Sequence, residues 1–254
     1  MGGKRWTNEE KIILKDMNID GFNYAEIASK MGRSLSSCQQ MGKRLGLIGD
    51  MNVNEEFFYS ETEEKYYVLG YWLADGCIMK KSGGYYFSIV SNDKSHLENI
   101  SKTMGIKANI YSNSNDAFEL RVGNKNLVNS IIELGGSYRK TKTMTINDIT
   151  FDEKYFYIIL RGFFDGDGGF QFSNHEKVDG TRSVSSIKFV GSKLMIQSIY
   201  ENLGYGKLYQ DCRKGDCFYL AIYGNEMRQL LHKMYKGSQI HLERKYNIYK
   251  QIKG

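Results

Sequence analysis

Two segments of this 254-residue chain say nearly the same thing about ninety residues apart: Tyr67-Val-Leu-Gly-Tyr-Trp-Leu-Ala-Asp-Gly76 and Ile159-Leu-Arg-Gly-Phe-Phe-Asp-Gly-Asp-Gly168. A repeat at that spacing points to two copies of one supersecondary unit. Each copy is an apolar run that ends in an acid. Within each, two small residues stand four apart, Gly70/Ala74 and Gly162/Gly166, and on a helix such positions share one face. Two such faces can press backbone to backbone. Asp75 and Asp167 then fall near the C-terminal ends, where the helix dipole disfavours a carboxylate by a few tenths to about 1 kcal/mol. A cation offsets that cost. The repeat therefore predicts two packed helices that bring two carboxylates to one place, where divalent metal can gather.

The residues after each acid follow one series. After Asp75 the pattern predicts a strand, a turn at Gly83-Gly84, a strand to Val90, a helix from about Ser95 to Met104, strands around 108–111 and 118–122, and a helix from Lys125 to Leu134. After Asp167 it predicts strands at 170–172 and 186–190, a helix at 193–203, strands at 207–210 and 218–223, and a helix at 226–234. Each half is thus α-β-β-α-β-β-α, an α+β fold with two pseudo-symmetric repeats, 63–149 and 150–254. Short antiparallel strands from both halves are expected to form one concave saddle about a pseudo-twofold axis. Such a surface suits duplex DNA.

Aligned on a nine-letter motif, Val68-Leu-Gly-Tyr-Trp-Leu-Ala-Asp-Gly76 and Leu160-Arg-Gly-Phe-Phe-Asp-Gly-Asp-Gly168 resemble the LAGLIDADG family of homing endonucleases, in the form that carries both repeats on one chain. The resemblance covers about residues 64–254. It implies that Asp75 and Asp167 bind divalent metal, with the Ala74 and Gly166 carbonyls as additional ligands. It also implies two or three Mg²⁺ ions, for which Mn²⁺ can substitute, and double-strand cleavage of DNA by phosphodiester hydrolysis. Metals held by carboxylates activate water and neutralise charge in such a reaction. A basic residue after the last helix of each half completes the family's centre. Lys142 and Lys245 are the expected pair, with Lys140 the alternative at the first site. The motif's earlier acid is Leu73 in one copy and Asp165 in the other, and Asp165 is expected to be structural or solvent-facing. A calcium loop beginning at Asp165 is disfavoured because its sixth position, which needs glycine, is Phe170.

Residues 1–48 read as a separate three-helix module. Thr7 and Glu10 have capping-box spacing, Ile13, Leu14 and Met17 give the first helix an apolar face, Tyr24 to Met31 forms a second, and Ser34 caps a third with Leu35, Cys38, Met41 and Leu45 inside. The run from Arg5-Trp6-Thr7 to Arg44-Leu-Gly-Leu47 resembles helix-turn-helix modules of the Myb-like or resolvase-like kind. That resemblance implies DNA contact by Ser36, Ser37, Gln39 and Gln40 at base edges, with Arg33, Lys43 and Arg44 at phosphates. A small helical cap or a protein-binding domain is the alternative. Residues 49–62, polar and acidic, read as a linker.

Composition sets outer bounds. A formal charge of +6 favours a polyanionic partner, and a set of strand residues could read a groove: Lys80, Lys81, Tyr85 and Arg121 in the first half, and Asn174, Lys177, Arg182, Lys188, Arg213 and Lys214 in the second. The expected ligand is double-stranded DNA with a long pseudo-symmetric target. Four cysteines without CxxC pairing suggest free thiols in a reducing compartment. No apolar stretch has membrane-span length. The expectation is a monomer without an obligate protein partner, cytoplasmic and nucleoid-associated, bacterial or phage-encoded rather than organellar. A non-cleaving regulator or intron maturase on the same scaffold is the alternative, although loss of cutting usually shows as replaced motif acids.

Overall fold

A computed structural model describes residues 5–19, 22, 24–45, 53–81, 84–106, 110–112, 116–176, 182–211 and 215–253. They fall into two compact units, Met1–Val53 and Asn54–Gly254.

The first unit holds α1 (Asn8–Ile19), α2 (Tyr24–Met31) and α3 (Leu35–Arg44). Its capping box is made: Thr7 N donates to Glu10 at 2.9 Å and Glu10 N donates to Thr7 Oγ1 at 3.2 Å. Ser34 caps α3 by accepting from Ser37 N at 3.3 Å. Leu14, Ile27, Ala28 and Cys38 form the core, with Trp6, Met17 and Phe22 packed on it. Ile13, Leu35 and Leu45 were expected inside, yet they are 48%, 45% and 38% exposed. Three short helices bury only one narrow stripe each. Leu14 occupies that stripe on α1, so Ile13 is turned about 100° away, and Leu35 and Leu45 lie at the two ends of α3, beyond Cys38 and Met41.

The second unit begins earlier than the sequence suggested. Residues 54–62 are no free linker: Phe57 and Phe58 are buried, Phe58 packs 6.0 Å from Phe87, and Glu55 accepts from Asn124 and Asn126 at 2.7 Å. Two of the acids that suggested a solvated tether are hydrogen-bond acceptors for the second unit, Glu55 from Asn124 and Asn126 and Glu61 from Lys65 and Tyr66.

Two similar series then follow. The first is α4 (Glu63–Asp75), β1 (Gly76–Lys81), β2 (Gly84–Ser91), α5 (Lys94–Thr103), β3 (Ile110–Ser112), β4 (Phe118–Gly123), α6 (Lys125–Glu133) and a single-turn α7 (Lys140–Thr143). The second is α8 (Phe156–Asp167), β5 (Gly168–Glu176), β6 (Arg182–Gly191), α9 (Lys193–Leu203), β7 (Lys207–Gln210), β8 (Phe218–Tyr223), α10 (Gly224–Tyr235) and α11 (Glu243–Lys253). The expected αββαββα series is present in each, with α7 and α11 added. Each half carries a four-stranded antiparallel sheet, ordered β1-β2-β4-β3 and β5-β6-β8-β7. Alternate residues, Phe87, Ile89, Leu120 and Val122 in one sheet and Ile187, Phe189, Leu220 and Ile222 in the other, are fully buried against the helical layer. The opposite sheet faces are open.

Between the halves α4 packs on α8. Residues 65–73 of α4 are buried without interruption, as expected for a helix enclosed on all sides. Both glycines permit the approach: a Cβ at Gly70 would overlap the Ile159 carbonyl, and one at Gly162 would overlap the Tyr67 carbonyl and lie 2.7 Å from Tyr71 N. Among the described residues no helix is long and apolar enough to cross a membrane.

Candidate active site

The helix pair ends in two acids that meet. Asp75 closes α4, Asp167 closes α8, and a Cβ placed on Gly166 would lie 3.0 Å from Asp75 Oδ2. Small residues at 74 and 166 are what let the two ends come so close. Burial pushes the Asp75 carboxyl up to about 6, and the charge on Asp167 adds to it. Burial likewise raises Asp167, against the pull of Lys140 and Lys245. Two half-buried acids at the negative ends of two helices form a place where positive charge is favoured.

A buried lysine answers each helix end. Lys140 donates to the Leu73 carbonyl at 2.6 Å and the Ala74 carbonyl at 3.0 Å. Lys245 donates to the Phe164 carbonyl, to Asp165 O at 3.0 Å and to Gly168 O at 2.7 Å. The Leu73, Ala74 and Asp165 carbonyls lie in the last turns of their helices, where intrahelical partners run out; Phe164 O also accepts from Gly168 N, and Gly168 begins β5. Each ammonium also stands over an aromatic ring of the helix end it meets, 5.5 Å from the Trp72 centroid of α4 and 4.8 Å from the Phe164 centroid of α8. Burial lowers both lysines, Lys245 to about 8.

Among the described residues no three His, Cys, Asp or Glu side chains converge. Two carboxylates with nearby helix carbonyls fit a hard cation that completes its shell with water and phosphate oxygens, as Mg²⁺ commonly does.

The open sheet faces flank this point, and they differ. In the second half Lys188 pairs across the ladder with Ala221, which pairs with Lys207, and Tyr219 pairs with Tyr209. Lys188 Nζ lies 4.6 Å from the Tyr219 ring centroid, and Tyr209 stacks on Tyr219 at 5.0 Å. In the first half the corresponding positions are Ser88, paired with Arg121, and Glu119, paired with Tyr111. There Arg121 is held by Glu119 at 2.6 Å.

Residues 62–135 match the family model described as the LAGLIDADG-like domain. No curated protein sequence matches the chain. Among solved structures, the LAGLIDADG homing endonuclease I-LtrWI bound to target DNA is similar with a TM-score of 0.51, at 20% identity, over 78% of this chain and 90% of its own. A mutant of I-SmaMI is similar at 17% identity and a TM-score of 0.51, over 74% and 89% of the two chains. I-SmaMI bound to an uncleaved DNA target with calcium ions gives 14% identity and 0.51, over 75% and 89%. The fold is that of the LAGLIDADG homing endonucleases.

In this LAGLIDADG fold the structure brings together Asp75, Asp167, Ala74, Gly166 and Lys245 as the sequence suggested, but not Lys142. That side chain is exposed and meets Asp216 at 3.3 Å, while Lys140 occupies the first site. On a one-turn helix residues two apart point about 200° apart, so only one of the two can face inward. A signal for the right choice was present: the dipeptides Arg139-Lys140 and Arg244-Lys245 recur in the two halves. Asp165 is wholly buried rather than solvent-facing.

The groove-reading set is likewise rearranged. Lys188 has the open-face parity of β6 and Arg121 that of β4, whereas Arg182 lies beyond the register shift between Gln171 and Phe172, which separates its parity from that of Lys188. Lys80 and Tyr85 do not: they fall in register with buried Ile78 and Phe87, at the sheet's edge, with Lys80 Nζ 5.3 Å from the Tyr85 centroid. The side chains of Lys81 and Asn174, and residues Lys177, Arg213 and Lys214, lie outside the described residues. Lys207, Tyr209, Tyr219 and Tyr223 were missed, although the alternation in Lys207-Leu-Tyr and Tyr219-Leu-Ala-Ile-Tyr could have found them. In the first unit Arg33 is committed to structure. It pairs with Glu10 at 2.7 Å, its side chain 6% exposed, and lies 4.1 Å from the Trp6 centroid. Ser37 accepts from Trp6 Nε1 at 3.1 Å. Ser36, Gln39, Gln40, Lys43 and Arg44 are exposed.

Proposed function

We propose that the protein is a single-chain LAGLIDADG homing endonuclease that cuts both strands of a specific DNA site in a metal-dependent hydrolysis. The observation that carries this reading is the meeting of Asp75 and Asp167 at paired helix ends, each end closed by a buried lysine. Asp75 and Asp167 would hold divalent ions such as Mg²⁺, with the Ala74 and Gly166 carbonyls beside them; bound there, such ions supply charge neutralisation at the scissile phosphates and a lowered pKa for the attacking water. Glycine contacts between α4 and α8 fix the spacing of the two carboxylates. Lys140 and Lys245 keep the helix ends closed and add positive charge where phosphate approaches. The open sheet faces bind the duplex, Lys188 and Lys207 at phosphates and the tyrosines at sugars and base edges.

Two further features belong to the proposal. The first unit contacts flanking DNA through the exposed polar face of α3, from Ser36 to Arg44. The chain works as a monomer inside the cell, because two repeats already supply both acids. DNA-bound I-LtrWI and I-SmaMI support duplex DNA as the ligand class. The deciding experiment incubates the protein and Mg²⁺ with a randomised duplex library and sequences the ends. Recurrent double-strand ends at one sequence, absent with Asp75→Asn, are expected. Binding without ends would leave a non-cleaving regulator or maturase.

A further inference from the structure

The two lysines sit alike over their helix ends but are carried there differently. Lys140 is the first residue of α7, seven residues after α6 ends at Glu133. Lys245 is the third residue of α11, which follows α10 across a stretch from Lys236 to Leu242 that has no helix or strand of its own. Something must fix where that stretch ends. Asp165, wholly buried on α8, accepts a hydrogen bond from Leu242 N at 2.8 Å, directly before the first residue of α11. It accepts two more, from Tyr67 of α4 at 2.8 Å and from Tyr235, the last residue of α10. One carboxylate thus ties both motif helices to both ends of the stretch that delivers Lys245. His96 extends the chain, its Nε2 lying 3.0 Å from the Tyr67 hydroxyl. The Tyr67 proton is given to Asp165, so the neutral His96 ring donates to Tyr67 from Nε2.

We propose that Asp165 is the positioning residue of the second site: it sets the start of α11 and thereby seats Lys245 on the end of α8. The first copy of the repeat has Leu73 at this place, and Lys140, in the first turn of α7, reaches the Leu73 and Ala74 carbonyls without such a tie. A buried carboxylate with three donors is costly to leave partly satisfied, which gives the tie its stiffness. The role rests on the proposed nuclease function only where cleavage is the readout.

The test therefore reads position first. In the metal-free full chain, lysine labelling by reductive methylation is followed by mass spectrometry for wild type, Asp165→Asn and Asp165→Leu. Lys245 and Lys140, 2% and 8% exposed, are both expected to label slowly in wild type. In Asp165→Leu, Lys245 should label faster by about tenfold, as expected for local opening, with Lys140 unchanged and Asp165→Asn intermediate. Equal protection of Lys245 in all three proteins would overturn the proposal. So would parallel deprotection of both lysines in both variants, since Asp165 would then hold the whole fold. On a cleavable duplex, Asp165→Leu should slow one strand's cut more than the other's while target binding persists. Equal slowing of both strands would overturn the link from α11 to the second site. If no duplex is cut even by wild type, the nuclease reading fails and the labelling result stands by itself.

Discussion

The ends of α4 and α8 are nearly superimposable in chemistry, and yet their surroundings are not. At each, an acid closes the helix, a lysine takes the last carbonyls and an aromatic ring lies under the ammonium. One shell further out, Leu73 stands opposite Asp165, and on the open sheets the Arg121–Glu119 pair stands opposite Lys188 and Tyr219. Pseudo-symmetry is thus kept at the two helix ends, where the proposed reaction needs equivalent chemistry. It is abandoned where each half has its own connections and, on the proposed function, its own stretch of duplex to meet. The comparison yields experiments that treat the two halves as controls for each other.

The largest effect should fall where the halves agree. Asp75→Asn and Asp167→Asn are each expected to abolish double-strand cleavage while leaving target affinity within a few-fold, measured by nicking and gel-shift assays on one duplex. Unimpaired cutting by either variant would break the equivalence of the two ends. Without metal the same substitutions should stabilise the fold. A carboxyl whose folded pKa is raised to about 6 binds its proton more tightly folded than unfolded, so its ionised form destabilises above that pH. Asp75→Asn should gain on the order of 2 kcal/mol at pH 7 in chelator-treated urea melts.

Next comes the crossing of the helices. Gly162→Leu must displace backbone, since its Cβ would meet both the Tyr67 carbonyl and Tyr71 N. It should cost about 3 kcal/mol, the upper end of ordinary overpacking. Gly70→Leu meets only the Ile159 backbone and should cost less. Equal melts for Gly162→Leu and wild type would show that the helices do not cross there.

A third effect is smaller and hidden in the wild type. Burial lowers His96 to about 4 against an ordinary value of 6.5, so the unfolded state binds the extra proton. Stability from this group is complete above pH 6.5 and falls as pH drops toward 4. Asp75 titrates the other way over nearly the same window. Asp167 is raised as well, so wild-type stability should change little between pH 7 and 5, whereas the Asp75→Asn/Asp167→Asn double variant should lose about 2 kcal/mol. Adding His96→Gln to that variant should flatten the slope again; a persistent slope would assign the loss to another group.

What the sequence made legible follows the same division. The helix pair, its glycines and its two acids could be read because a close helix crossing needs small residues at one spacing, whatever surrounds it. The strand series could be read from alternation, and so could the α+β class. Only the recurring Arg-Lys dipeptide could separate Lys140 from Lys142, because which side of a single helical turn faces inward depends on what packs below it. Lys80 and Tyr85 were misplaced for a related reason: period two assigns residues to faces only once the buried register is known, and Phe87 and Ile89 set it. Asp165 is the hardest case. Its meaning lies in Tyr67, Tyr235 and Leu242, all remote in sequence, and nothing local distinguishes a buried hub from a surface acid.

The smallest effect concerns how charge is distributed over the two open faces. A lysine that neutralises a phosphate contributes about 0.9 to the slope of log affinity against log salt. Lys188 stands 4.6 Å from the Tyr219 ring centroid and pairs across the ladder with Ala221, so Lys188→Ala should reduce the slope by about 0.9. Arg121 carries its counter-charge with it, Glu119 lying 2.6 Å away and largely buried. Arg121→Ala should therefore change affinity without changing the slope. Glu119→Gln should do the reverse, freeing Arg121 for phosphate and steepening the slope by a comparable amount. Affinities across a salt series for these three variants on one duplex decide the matter. If Arg121→Ala lowers the slope as much as Lys188→Ala does, the Glu119 pair opens on binding, and the two faces meet DNA alike despite their different residues.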